Sequence, residues 1–160
     1  MPCSRSVNGA VIVWDLETVP DLRGFAAANS LVGKTDAEVQ ALLGNRFPKH
    51  IYHSIVCIGA LVAHRESDHW AVDALGAPHI GERTEKQLIS AFCEKIAELA
   101  PQLVTFNGNT FNLPVLRYRA MIHGVPAQDW LPAPTSIDTP KTQSTCAMCS
   151  RRSLLTARPR

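Results

Sequence analysis

Hydrophobic and polar positions fall into short blocks whose period changes along the chain. Val11, Ile12, Val13 and Trp14 form a compact apolar run before polarity returns at Asp15. A run of that length predicts a buried strand over 11–17, closed by Pro20. Over 35–43 the period becomes helical: Thr35 and Glu38 make a capping box, Val39, Leu42 and Leu43 follow at helix spacing, and Gly44 is the stop. Two stretches rich in strand-forming residues, 53–63 and 70–75, flank the polar segment His64–His69 and predict a hairpin. Thr84 and Gln87 form a second capping box, after which Leu88, Ile89, Phe92, Ile96 and Leu99 share one helical face up to Pro101. A strand over 103–106, a turn at Asn107-Gly108 and a helix over 111–123, with Pro114 in its first turn, complete the pattern. The order is β, helical insertion, β, β, α, β, α, which predicts an α/β fold.

Beyond Pro126 the pattern lapses. Residues 131–160 hold four of the eleven prolines and no amphipathic period. They also carry Lys141, Arg151, Arg152, Arg158 and Arg160 against Asp138, a net +4 that leaves −2 for the rest of the chain. The formal charge of +2 is therefore no basic footprint on the folded part. With 160 residues, 46% of them apolar, the chain suits one domain with a real core and excludes wholesale disorder. No run approaches the roughly 18 apolar residues of a membrane span. The first residues do not read as a secretory signal. Five scattered cysteines, Cys3, Cys57, Cys93, Cys146 and Cys149, make no disulfide framework, and a reducing cytoplasm is the expectation. Cys146 and Cys149 lack the second pair that a structural zinc site needs.

Two segments can carry chemistry. Asp15 and Glu17, two apart on an extended segment, point to the same side and can share a divalent ion. Spacing alone does not single them out, since Asp36 and Glu38 repeat it in the acidic first turn of a helix. What distinguishes Asp15 and Glu17 is the apolar strand that runs straight into them. The second segment, Phe106 to Pro114, follows a strand and opens a helix. Its plain reading is a glycine turn with Asn107 and Asn109 flanking a positive-φ position and Asn112 capping the helix.

Together the segments resemble a known family. Trp14-Asp15-Leu16-Glu17-Thr18 is similar to the first motif of the DnaQ-like, or DEDD, 3′–5′ exonucleases of the RNase H-like fold. Thr105-Phe106-Asn107-Gly108-Asn109-Thr110-Phe111-Asn112-Leu113-Pro114 resembles their second motif in the form found in family-B DNA polymerase proofreading domains. Val115 to Ala120 and Phe47-Pro48-Lys49-His50 continue the likeness, which spans residues 10–130.

The resemblance implies an RNase H-like mixed sheet flanked by helices, incomplete at its C-terminal side, with a tail over 131–160 that is disordered or out of frame. It implies metal-dependent phosphodiester hydrolysis at the 3′ end of single-stranded DNA or RNA. Asp15, Glu17 and Asn112 would be the catalytic and metal-holding residues for Mg²⁺ or Mn²⁺, and Thr18, Asn107, Gly108 and Phe111 would touch substrate. Two ions of this kind generate a hydroxide and stabilise the leaving oxygen. The chain departs from the family twice. Asn112 stands where the motif has Asp, and no late acidic motif is legible, because Asp138 sits among Pro132, Pro134 and Pro140. One permitted back-translation of Gln143–Ser153 in a shifted frame gives an apolar run with two aspartates, which points to a frameshift between Pro126 and Ser136. Impaired catalysis is the expectation, and a non-catalytic nucleic-acid-binding module is the alternative. Of Arg117 and Arg119, one is expected to meet phosphate. A sheet left with an open edge and an uncovered apolar face predicts poor solubility.

Overall fold

The opening apolar run becomes strand β1, Ala10–Pro20, in a computed structural model that describes residues 9–126. Alternation along β1 is strict: Ile12, Trp14 and Leu16 are buried, whereas Val13, Asp15 and Glu17 are exposed. The strand outlasts its predicted end because Thr18, Val19 and Pro20 keep pairing with β2, His53–Glu66. Ser67 and Asp68 turn β2 back into β3, His69–Gly76, which is the expected hairpin. Strand β4, Gln102–Val104, lies parallel to β1 on the opposite side. The sheet order is β3-β2-β1-β4, antiparallel except for the β1–β4 pair. It is a mixed sheet flanked by helices, the α/β arrangement the sequence predicts.

Helix α1, Leu22–Ala28, is absent from the sequence reading; its cap is the Asp21 side chain, which accepts from the Gly24 N–H at 2.8 Å. Helix α2, Asp36–Leu43, forms with the Thr35–Glu38 capping box in place and Gly44 at φ +66°. The long helix α3, Glu85–Leu99, starts at the Thr84–Gln87 box. It presents Leu88, Ile89, Phe92, Cys93 and Ile96 to the sheet, where they meet Ile12, Trp14, Leu16, Ile55 and Ile58. Helix α4, Leu113–His123, adds Leu113, Val115, Leu116 and Ala120 to the same core. Trp14 and Phe92 hold ring centroids 4.9 Å apart at its centre. Each fully buried side chain of this size contributes about 1.5–3 kcal/mol, which is what fixes α3 and α4 against the sheet.

Away from α3 and α4, the cross-strand row Val13, Leu61 and Leu75 leaves Val13 and Leu75 exposed among the described residues. Arg119 is not a surface cation. It is buried on α4 against Glu85 and Asp21, so it is no contact for phosphate. The 131–160 tail, with Asp138 and the Cys146–Cys149 pair, lies outside the described residues.

Candidate active site

Strand β4 stops pairing at Val13, leaving the edge of β1 beyond it open where Asp15 begins. The chain leaving β4 turns back into that opening. The Asn107 carbonyl accepts from both the Phe111 and Asn112 N–H groups, at 2.8 and 3.2 Å, and the segment Gly108–Asn112 winds as a π-turn before α4 starts. Wide turns of this kind re-aim side chains and recur at functional sites. Two expectations change here. Gly108 is not in the positive-φ region. Glycine is required instead by close approach, because a Cβ there would lie 2.6 Å from Thr105 Cγ2. Nor does Asn112 cap α4: its backbone is helical and its side chain makes no capping bond.

The Asn112 side chain reaches across to β1. It is 2% exposed and donates one amide N–H to Asp15 Oδ1 at 2.7 Å and another to Thr105 Oγ1 at 2.5 Å. Two motifs 97 residues apart in the chain are thereby in direct contact. Asp15 Oδ1 also accepts from the Leu16 N–H at 3.0 Å. Its second oxygen makes no hydrogen bond among the described residues, and Glu17 makes no ion pair among them. Glu17 faces Cys57 across the β1–β2 ladder, where burial first and then the Glu17 charge push the Cys57 thiol up. A bulge follows, with Val56 unpaired between Cys57 and Ile55.

Beyond the bulge lies an aromatic corner. Thr18 pairs with Ile55 and its hydroxyl sits 3.0 Å from His53 Nδ1, while His53 Nε2 is 3.3 Å from the Pro48 carbonyl. Because a carbonyl only accepts, Nε2 carries the proton and the Thr18 hydroxyl donates to Nδ1. Burial, chiefly, holds His53 below the usual histidine range and keeps it neutral; the nearby His50 adds to this and the Pro48 carbonyl opposes it. Phe111 packs edge-on against His53 at 5.0 Å and lies 5.7 Å from Phe47 and 5.9 Å from His50. Phe47 is 73% exposed, an apolar ring offered to solvent. Sequence reasoning names Phe111 but not His53. Thr105 and Phe47 lie inside quoted motifs without being singled out. Asn107 and Gly108 enter through backbone: the Asn107 carbonyl anchors the π-turn, and Gly108 is buried beneath it.

The donor set tests what the site can hold. Asp15 and Glu17, on one exposed face of β1, supply two carboxylates, which fit a single divalent cation of the Mg²⁺ or Mn²⁺ kind. Two such ions would bring four positive charges to two negative ones, and Asn112 turns N–H groups, not its oxygen, toward Asp15. Among the described residues no group of three or more His, Cys, Asp or Glu is arranged to hold a metal. The described residues fit one ion and do not fit a pair.

Among protein families, residues 45–151 match the model described as the predicted 3′–5′ exonuclease related to the exonuclease domain of PolB. The match contains the whole π-turn segment, begins after Asp15 and Glu17, and runs on past residue 130, where the motif likeness ends. No curated protein matches the chain. No helix among the described residues is long and apolar enough to cross a membrane.

Proposed function

The chain belongs to this family of predicted 3′–5′ exonucleases related to the exonuclease domain of PolB, and from that premise we propose that it engages the 3′ end of single-stranded DNA or RNA and hydrolyses its terminal phosphodiester slowly, in a reducing cytoplasm. The crevice is the opening at the carboxyl ends of β1 and β4, where open α/β sheets take their ligands. Asp15 and Glu17 hold one Mg²⁺ or Mn²⁺. When bound, that ion lowers the pKa of a water and polarises the phosphate oxygen. Phe47 and Phe111 offer ring faces to the terminal base, since stacking on aromatics is how single strands are held without sequence preference. Thr18 and the Asn107-Gly108 backbone border the place where the sugar and phosphate would lie.

The observation that carries this reading is the contact of Asn112 with Asp15, which joins the two motifs at one end of the sheet. The same contact sets the limit on activity. An amide in place of a carboxylate removes a ligand charge, so hydrolysis is slow and recognition of the 3′ end outlasts it. A second reading, binding without hydrolysis, is favoured by the direction in which the Asn112 N–H groups point.

A 5′-labelled single strand incubated with the chain and Mn²⁺ decides between them. Slow shortening from the 3′ end, abolished in Asp15→Ala, is the expected result. Retained binding with no shortening in the wild type moves the conclusion to the binding module. Absence of both binding and shortening overturns the proposal.

A further inference from the structure

The Asn112 amide sits between two oxygen acceptors, Asp15 Oδ1 and Thr105 Oγ1, with both N–H groups spent on them. It is almost fully buried, while Asp15 is exposed. Thr105 is held under the π-turn by its contact with the Gly108 backbone, where not even a methyl group fits. A carboxylate at position 112 would face the Asp15 carboxylate at hydrogen-bond distance, and two carboxylates so placed need a cation or a proton between them. The amide needs neither. We infer that Asn112 is a hydrogen-bond latch that joins the π-turn to β1 in the place of a bridging cation, so that divalent binding at Asp15 competes with the latch.

This inference rests on the reading of Asp15 and Glu17 as a cation site, and it names how that site is regulated. With the latch closed, Asp15 Oδ1 is already engaged by two N–H groups, and a cation finds only Oδ2 and Glu17. A cation that takes both oxygens of Asp15 must leave the buried Asn112 N–H without its acceptor. A buried donor in that position costs about 1–3 kcal/mol, which is a roughly 5- to 150-fold loss of cation affinity. Replacing the amide by a carboxylate reverses the relation: the turn then needs the cation to stay closed.

Thermal melting of the full chain at about pH 8, where isolated carboxyl groups are ionised, reads this directly. The wild type is expected to gain only about 1–2 °C in excess Mn²⁺ over chelator, because the closed latch weakens the cation site. Asn112→Asp is expected to melt roughly 5 °C lower in chelator and to recover at least half of that loss with Mn²⁺, because a ligand that binds only the folded state raises its stability. Equal melting of Asn112→Asp and wild type in chelator overturns the latch, as does an Mn²⁺ shift as large in the wild type as in the variant. Should Asn112→Asp fail to fold in both conditions, two other variants carry the test. Asp15→Asn keeps an acceptor oxygen for the Asn112 N–H and is expected to melt like the wild type, whereas Asp15→Ala loses it and melts several degrees lower. If Asp15→Asn and Asp15→Ala melt together, the latch is overturned. No nucleic acid enters these measurements. A chain that shows the latch yet neither binds nor cuts a 3′ end sinks the functional proposal alone.

Discussion

Arg119 and Glu85 form a buried, two-pronged ion pair between α4 and the first turn of α3, Nε to Oε1 at 2.7 Å and Nη2 to Oε2 at 2.5 Å. Arg119 also donates from Nη1 to Asp21 at 2.7 Å, and Glu85 accepts from the Ile55 N–H at 2.6 Å and pairs with His123 at 2.9 Å. One guanidinium thus joins α4, α3 and the cap of α1, and its partner carboxylate adds strand β2. A paired buried charge adds little over an apolar substitute, but removing one partner strands the other. Arg119→Met is accordingly expected to cost about 3–5 kcal/mol in urea unfolding, with the slope of the transition unchanged. Arg119→Lys recovers only part of this, since an ammonium cannot reproduce the planar fork.

Acid is the matching perturbation. Burial alone would raise Glu85, but the hydrogen bonds from Arg119, His123 and the Ile55 N–H outweigh it and hold the carboxyl below its usual range. A carboxyl lowered by folding contributes stability that is complete above its unfolded value and is lost as pH falls through the folded one. His53, lowered mainly by burial, acts in the same direction: the unfolded chain binds the proton more readily, so stability falls as pH drops below about 6.5. Below about pH 6.5 the His53 contribution is lost, opposed by the exposed His64, which its hydrogen bonds to Asp73 and Glu66 raise. Below about pH 4.5 melting temperature is expected to fall more steeply as the Glu85 contribution goes. Glu85→Gln should remove the steeper fall and His53→Phe the earlier loss. A decline unchanged in both variants would sink the assignment.

These two networks also mark where the sequence stops being legible. The capping boxes at Thr35 and Thr84 were readable because a cap and its partner lie three residues apart, and both are present. The buried face of β1 was readable from its apolar run. Helix α1 was not, because seven residues with an internal glycine give no hydrophobic period, and its cap is a single aspartate. The Arg119 network joins positions 21, 55, 85, 119 and 123, and nothing local at any of them announces the others. In the candidate site, the pairing of Asp15 with Asn112 was reached only through the family resemblance. The direction of the amide could not be, because it depends on Thr105 being packed under Gly108.

That packing gives a prediction with an internal rescue. Gly108→Ala places a methyl group 2.6 Å from Thr105 Cγ2, inside any tolerable contact. Overpacking of this kind costs about 1–3 kcal/mol and pushes Thr105 away from Asn112. Thr105→Ser deletes the offending methyl and keeps the hydroxyl that accepts from the amide. The double variant Gly108→Ala with Thr105→Ser is expected to regain most of the lost stability in urea unfolding. Equal instability of the double and single variants would place the strain in the backbone instead.

The exposed ring of Phe47 separates recognition from folding. Phe47 is 73% exposed, so its truncation falls in the range of surface substitutions, within about 0.5 kcal/mol of the wild type. Stacking of one base on an aromatic ring is worth about 1–3 kcal/mol. Phe47→Ala is therefore expected to weaken binding of a short single-stranded oligonucleotide about tenfold while leaving the melting temperature in place. Phe111→Ala should weaken binding too, but also destabilise the chain, because its half-buried ring packs against the core as well as against His53. Fluorescence anisotropy with a 5′-labelled strand reads the binding, and thermal melting reads the stability. A Phe47→Ala variant that binds as tightly as the wild type would move the base away from this corner and leave Phe47 with no part in recognition.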